Sequence, residues 1–499
     1  SRPGLPSVRG ISLVVPVAIL ISAYLISTLF SITPRVSVWG SYPRLQGMYT
    51  TLSYVVIFAA VAAHLRRKEQ AERLITVILL TSLPVSLYGV MQKLQIDPLP
   101  WGEDTTERVT STLGNAIFIG AYLIMAVPLT GMRILESFRA VLSASDNLRR
   151  NVVRATVYVF IGAMQLLALW FSGSRGPWLG LLVGIFFWAL LLSLTFKKRW
   201  LTLAILGGAG LMAAFLITLN IPNGPLEPLR NTKTLGRLGR VFEVQDGTSK
   251  VRVLIWQGAM KMALPHDPIL YPDGRPDSLN LIRPIIGYGP ESMVVAYNRF
   301  YSPQIAHYER RTASPDRSHN ETFDALVTTG ALGLLAYLAL FAAVIYYGLK
   351  WMGIIAPEDK WLYVGAYAGG GAVGAMALVI WKGPEYFGVG LPVGILIGLM
   401  IFIAFVSLTR VPVIADEWRA VILATLLGGI VAHFAEIHFG IAIVSTRLHF
   451  WVYAGVLMAV GWAMPRQEAE SSSLTEAARV QIPARKAQKG RKTEKAPIK

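Results

Sequence analysis

Long blocks of apolar residues are the feature that most constrains how this chain can fold. Hydrophobic residues make up 54% of the 499 positions and charged residues only 15%, against about 25% charged residues in a soluble domain. A run of about 18 or more apolar residues predicts a helix that crosses a bilayer. Backbone groups in lipid must be hydrogen-bonded within their own segment, and these blocks are too long for barrel strands. The sequence therefore predicts an all-α membrane protein.

The blocks predict about 12 transmembrane helices. Their expected spans are 11–32, 48–64, 73–92, 114–132, 153–171, 176–196, 200–220, 322–349, 361–382, 387–409, 418–437 and 447–464. The chain then divides into helices 1–7 (residues 1–220), a large external loop (221–318), helices 8–12 (319–464) and a basic tail (465–499). The composition of that tail predicts a disordered cytoplasmic segment.

Positive charges predict the orientation of the bundle. Residues 66–68, 149–150 and 197–199 are runs of Lys and Arg in alternate short loops, and short cytoplasmic loops are rich in these residues. We therefore expect both termini in the cytoplasm and the large loop on the outer face. The first apolar block continues to Ile32 without a clear cleavage site, so we expect no cleavable signal peptide.

The formal net charge of +18 does not indicate nucleic-acid binding, because positive-inside loops and the basic tail explain most of it. The loop 221–318 carries 13 Lys and Arg against 9 Asp and Glu. An anionic substrate or a contact with anionic lipid headgroups would each explain this excess. The chain has no cysteine, which excludes disulfides, Fe–S clusters and thiol catalysis.

Ionisable residues are almost absent from the middle of the predicted helices. Transporters and proton pumps usually keep such residues deep in the bundle, at a cost of about 2.5–3.5 kcal/mol each. Here Asp324, His433, Glu436 and His438 lie near the predicted outer ends. This pattern favours an enzyme acting on a lipid-linked substrate over a channel or carrier. The spacing of the last three does not place them on one helix face, so we expect no metal site and no cofactor.

The junction 318–321, where the polar loop meets an apolar helix, is the main candidate for chemistry. Ser318 and Glu321 form a capping-box pattern, which predicts His319 as the first helical residue. There the helix dipole, with Arg317 and two further arginines just upstream, would lower the pKa of the imidazole and keep it neutral. A histidine that serves only the capping turn is the alternative interpretation.

Three arginines are candidates for binding an anion at the same interface. Arg175 lies in the short hairpin 171–177, Arg252 in a short amphipathic helix at 249–261, and Arg108 just before helix 4. Arginine suits a diphosphate because its planar fork donates two parallel hydrogen bonds and stays charged. A snorkelling anchor for Arg175 and exposed surface charges for the other two are the alternatives.

Five segments together resemble the O-antigen ligase and O-antigen polymerase superfamily of bacterial membrane glycosyltransferases. In the family's order they are residues 108–122 (RVTSTLGNAIFIGAY), 172–179 (SGSRGPWL), 252–260 (RVLIWQGAM), 284–290 (PIIGYGP) and 319–334 (HNETFDALVTTGALGL). Each motif is short, but their order and the large loop before the histidine make the combination specific. The resemblance covers roughly residues 45–350.

The resemblance implies a metal-independent, inverting transfer of a glycan from an undecaprenyl diphosphate carrier to an acceptor hydroxyl, on the outer face of the bacterial cytoplasmic membrane. Arg175 and Arg252 match family arginines thought to hold the diphosphate, Arg108 matches more loosely, and His319 matches the family's external histidine. A ligase uses a lipid acceptor and a polymerase a second carrier-linked unit, while a related branch glycosylates protein. The last four helices match no motif, so this choice stays open.

Two other classes of function remain as alternatives. A flippase or exporter of lipid-linked glycans would also bind diphosphate, but with basic residues on both faces or along a cavity, and it would not need His319. A membrane scaffold would present an exposed apolar patch on its external loop. The loop 221–318 instead mixes charges with Pro and Gly, so we expect the glycosyltransferase, with membrane lipids and its substrates as its partners.

Overall fold

The computed structural model describes residues 13–97, 99, 104–143, 147–232, 236, 239, 247–271, 273–310 and 313–467. Over these ranges the regular structure is helical, apart from a single β-bridge between Leu270 and Pro276. The predicted all-α class is confirmed. From residue 468 onward the predicted basic tail lies outside the described residues, as do the first 12 residues.

The described residues form thirteen long helices. They are α1 (Val14–Leu29), α2 (Met48–His64), α3 (Lys68–Lys93), α4 (Ala116–Leu142), α5 (Leu148–Ser172), α6 (Arg175–Thr195), α7 (Arg199–Leu219), α8 (Gly247–Ala263), α9 (Glu321–Trp351), α10 (Pro357–Lys382), α11 (Pro384–Thr409), α12 (Glu417–Glu436) and α13 (Val444–Gln467). Short turns of helix lie between them at Pro34–Trp39, Ser111–Leu113, Glu227–Arg230, Asn280–Ile282, Arg283–Ile286, Met293–Ala296, Tyr297–Phe300 and Pro303–His307.

All of the long helices except α8 correspond to the predicted spans. Ten of them are long and apolar enough to cross a membrane, while α1 and α2 are shorter apolar helices. Helices α3, α4 and α5 extend several residues beyond the expected spans, because hydropathy detects only the part that lies in lipid. Their charged ends pair with one another: buried Arg133 of α4 bonds to Glu72 of α3 and to Glu136.

Helix α12 is the centre of the bundle. Every residue from 422 to 438 is buried, and the helix packs closely against α6. A Cβ atom added to Gly184 of α6 would collide with Ala432 of α12, and one added to Gly428 of α12 would collide with Trp188 of α6. Small residues at such positions let helix backbones approach closely in membranes. By contrast, only 6% of the apolar window of α7 is buried, so that helix lies at the periphery.

Helix α9 is interrupted at Gly330, which adopts φ 68° and ψ −171°. The interruption frees the carbonyls of Val327 and Thr328, which accept hydrogen bonds from the N–H groups of Tyr288 (3.0 Å) and Gly289 (2.9 Å). A side chain at Gly330 would also collide with the Ile285 carbonyl. The large loop is thereby joined to α9 by its backbone, at a site where we expected one uninterrupted helix over 322–349.

Polar contacts gather at the two ends of the bundle. The end where α5 and α12 finish and α6 and α9 begin is called the site end here, because the large loop packs on it. There Trp256 of the loop helix α8 donates its indole N–H to the carbonyl of Ser318, in the segment just before α9 (2.9 Å). The same indole stacks near the ring of Phe323, with the centroids 6.3 Å apart.

Candidate functional site

Helix α9 begins two residues later than the capping-box pattern predicts. Asn320, not Ser318, is the N-cap, and its side-chain oxygen accepts from the N–H of Phe323 (3.2 Å). The Ser318 hydroxyl donates instead to Asp324 Oδ1 (2.7 Å). Glu321 does not reach back to the cap, because its carboxylate pairs with Arg447 (2.7 Å). The capping-box prediction is wrong, and His319 precedes the helix rather than starting it.

His319 adopts a left-handed backbone conformation with φ 55°. A non-glycine residue in this region is strained, and such residues cluster at functional sites. Its Nδ1 atom is buried and has no hydrogen-bond partner among the described residues. The imidazole is therefore held in place by the backbone and by packing, and one ring nitrogen is left unpaired.

Burial is the main cause that lowers the pKa of His319 to about 4. The positive charges of Arg252 and Arg44 act in the same direction, and Asp316 opposes them. The predicted direction agrees, but the causes differ from those expected. Arg317 does not act on the imidazole, since its guanidinium donates to Glu291 (2.9 Å) and to Gln46 (3.1 Å). At neutral pH the imidazole is uncharged.

Arg108 joins the segment before α4 to the turn between α5 and α6. Its Nε donates to the Ser172 carbonyl (3.1 Å) and its Nη2 to the Ser174 hydroxyl (2.9 Å). Arg175 follows directly as the first residue of α6 and is half-buried. Arg108 and Arg175, which are distant in the sequence, thus both lie at the turn between α5 and α6.

Arg252 of α8 brings these arginines and the histidine together. Burial lowers the pKa of its guanidinium, and the charges of Arg108 and Arg175 lower it further, while Glu436 opposes them. Arg252 also lowers the pKa of His319, so it is an electrostatic neighbour of both groups. Three like charges in one place repel one another, and a bound anion relieves that repulsion. The structure therefore assembles all four predicted residues at the site end.

Three further residues belong to this site but had no role assigned from the sequence. Arg44 binds Asp316 with two hydrogen bonds, Nε to Oδ2 (2.8 Å) and Nη2 to Oδ1 (3.2 Å), and the pair lies beside His319. Glu436, at the end of α12, is fully buried near Arg252. No local pattern indicates the pairing of Arg44 with Asp316, which are 272 residues apart.

The described part of the chain has no group of three or more His, Asp or Glu side chains placed to hold a metal ion. His433, Glu436 and His438, the nearest candidate in the sequence, are all buried at the site end. His438 Nδ1 bonds to the carbonyl of Phe434 (2.6 Å). The groups assembled at the site are guanidinium groups, the imidazole of His319 and the carboxyl groups of Asp316 and Glu436.

Residues 157–270 match a family model described as O-antigen ligase. The matched segment contains most of α5, all of α6 and α7, and α8, and so includes both Arg175 and Arg252. No curated protein matches the chain. The match supports a membrane enzyme of the O-antigen ligase or polymerase type. Over residues 157–270 the match confirms the resemblance to the O-antigen ligase superfamily that the motifs indicate.

Proposed function

We propose that the protein is a glycosyltransferase of the O-antigen ligase type. It moves a glycan from an undecaprenyl diphosphate carrier to an acceptor hydroxyl, at the outer face of the bacterial cytoplasmic membrane. The observation that carries this proposal is the grouping of Arg108, Arg175 and Arg252 beside the uncharged imidazole of His319.

The arginines bind the diphosphate of the donor and stabilise it as a leaving group. Negative charge grows on the diphosphate as the bond to the sugar breaks, so a fixed guanidinium group interacts more strongly with the transition state than with the bound donor. Arg175 and Arg252 do this directly. Arg108 supports the turn that presents Arg175, through its bonds to Ser172 and Ser174.

His319 is the general base of the proposed reaction. Its neutral imidazole takes the proton of the acceptor hydroxyl while the hydroxyl oxygen attacks the anomeric carbon, and the bond from that carbon to the carrier diphosphate breaks. A single displacement of this kind inverts the configuration at the anomeric carbon. A positioned general base contributes about 10²–10⁴-fold to a rate.

A polysaccharide polymerase with the same site is the second candidate. The groups at the site act on the donor and on the proton of the incoming hydroxyl, so they serve a lipid acceptor and a carrier-linked glycan acceptor equally. The last four helices, which match no family motif, form the other wall of the site through α12 and the start of α13.

The test is a transfer assay with purified protein and undecaprenyl diphosphate-linked glycan, alone and with candidate acceptors. A ligase adds one discrete glycan when a lipid acceptor is present, and a polymerase makes a ladder without one. Arg252→Lys keeps the positive charge but loses the planar fork, so it should transfer more slowly than the parent. Transport of the donor across a vesicle membrane without any new glycosidic bond would contradict the proposal.

A further inference from the structure

Glu436 carries a buried carboxyl group that has no role in the proposed mechanism. It is 0% exposed, and neither carboxyl oxygen has a hydrogen-bond partner among the described residues. Three other buried carboxylates of the site end have arginine partners, in the pairs Glu291–Arg317, Glu321–Arg447 and Asp277–Arg283, and a fourth, Asp324, accepts hydrogen bonds from Ser318. Burying an unpaired carboxyl group is costly, so its persistence indicates a ligand that completes it.

The Glu436 side chain occupies a space made by two glycines. A Cβ atom on Gly180 of α6 would lie 2.9 Å from the Cβ of Glu436, and one on Gly440 would overlap its Oε1 atom. Gly180 belongs to α6, the helix that begins with Arg175, so α6 supplies both that arginine and part of the space for the Glu436 side chain. The position of the carboxyl group therefore depends on the absence of side chains at both glycines.

Arg252 is an electrostatic neighbour of Glu436 without being its partner. The carboxylate charge opposes the lowering of the Arg252 pKa. Yet Arg252 forms no hydrogen bond with any described residue, and no carboxylate oxygen of a described residue lies within 4.0 Å of its guanidinium nitrogens. A separation of more than 4 Å between two opposite charges leaves space for a group that bonds to both of them.

A sugar hydroxyl has the chemistry for that space. It can hydrogen-bond to a carboxyl group through its proton or its oxygen, and its oxygen can also accept from a guanidinium group. In a carrier-linked glycan the anomeric carbon of the first sugar is bonded directly to the diphosphate. A carboxyl group beside the diphosphate-binding arginines therefore faces that first sugar. Building on the proposed function, we propose that Glu436 binds a hydroxyl of the donor's first sugar and so selects which sugar is transferred.

The test compares the binding of two probes to purified full-length protein. The probes are undecaprenyl diphosphate and undecaprenyl diphosphate-linked N-acetylglucosamine. Glu436→Gln keeps the shape of the side chain but replaces one carboxyl oxygen by an amide NH2 group, and it should weaken binding of the sugar-linked probe about tenfold, since a buried polar group left without its hydrogen bond is costly. Binding of the bare carrier should not change, which also shows that the variant is folded.

Two further variants sharpen the comparison. Gly440→Ala keeps the carboxyl group of Glu436 but crowds it. This variant should also bind the sugar-linked probe more weakly and the bare carrier as the parent does. Glu385→Gln changes a carboxylate of the site end that already bonds to Gln257 (2.9 Å), and should alter neither affinity. Equal binding of both probes by the parent, or an equal loss of both in Glu436→Gln, overturns this inference. If the parent binds neither probe, the proposed function itself fails.

Discussion

At the scale of single residues, the neutral state of His319 depends on burial and on two arginines that are distant in the sequence. Burial and the charges of Arg252 and Arg44 outweigh Asp316 and bring the pKa of the imidazole to about 4. Such an imidazole is free of its proton at neutral pH but is a weak base. An anion bound to Arg252 would cancel part of the charge that lowers the pKa of His319. Binding of the donor would therefore raise that pKa and make the imidazole a stronger base.

We expect the pH profiles of kcat/KM and of kcat for transfer to differ. The reaction needs the unprotonated imidazole, so kcat/KM for the donor, which reports the free enzyme, should fall only as the pH drops through about 4. The acid limb of kcat, which reports the donor complex, should lie at higher pH. The measurement is the initial rate between about pH 3 and pH 8 at low and at saturating donor concentration.

Arg44→Gln provides the matched variant for these profiles. It removes a charge that lowers the pKa of His319 and frees the carboxylate of Asp316, which raises it. The acid limb of kcat/KM should therefore move towards pH 6.5. A limb already near pH 6.5 in the parent protein would show that the buried imidazole titrates like one in water.

Much of the site was predictable at this scale because its arginines and its histidine stand out in apolar or turn segments. Arg175, Arg252 and His319 could be selected for that reason, with roles that remain predictions. The part played by Glu436 could not, because a carboxyl group at the end of an apolar helix does not reveal whether it has a partner. That information lies in its surroundings, which include Gly180 and Gly440.

At the scale of helices, Asn320 joins three elements at the start of α9. Its side-chain oxygen caps the helix at Phe323 N–H, and its amide group donates to the carbonyls of Gly388 (2.8 Å) and His438 (2.9 Å). The residue is fully buried. It therefore holds the histidine segment against the beginning of α11 and the end of α12.

Replacing Asn320 tests these contacts. Asn320→Ala loses the cap, which is worth about 1 kcal/mol, and both donors. Asn320→Asp keeps the cap acceptor but buries a carboxylate against two carbonyl oxygens, which is costly. Thermal unfolding in detergent should give a lower Tm than the parent for both variants. Asn298→Ala, at an exposed loop position, is the control and should unfold like the parent. Equal Tm for Asn320→Ala and the parent would contradict this role.

The interruption of α9 shows where hydropathy stops being informative. Residues 322–349 are apolar on both sides of Gly330, so the sequence predicts one continuous helix. The break follows from the backbone of 285–289, which packs against the helix at Gly330 and uses its free carbonyls. Only the contact between two distant segments makes the break favourable, and neither segment reveals it alone.

At the scale of the whole molecule, the bundle brings residues from six separate stretches to one end. The number of helices was predictable, because each block is long enough to cross a membrane. The central place of α12 was not, because a helix that faces protein and one that faces lipid are similarly apolar. Which compartment the site end faces remains a prediction from the charges of the short loops.

The chain offers a direct test of this orientation because it contains no cysteine. Gln304→Cys places one exposed thiol in the large loop, and Lys198→Cys places one in the exposed turn between α6 and α7 at the opposite end. In spheroplasts a membrane-impermeant maleimide should label Gln304→Cys, and Lys198→Cys only after the membrane is opened. Labelling in the reverse order would place the site in the cytoplasm.

The most direct test of the central claim is to measure transfer rate and donor affinity together for His319→Ala. Loss of the base should slow transfer about 10²–10⁴-fold, while the Kd for undecaprenyl diphosphate-linked glycan stays near that of the parent, because the arginines are intact. His307→Ala, an exposed histidine of the same loop, should transfer at the parental rate. A parental rate for His319→Ala, or a loss of affinity as large as its loss of rate, would contradict the account.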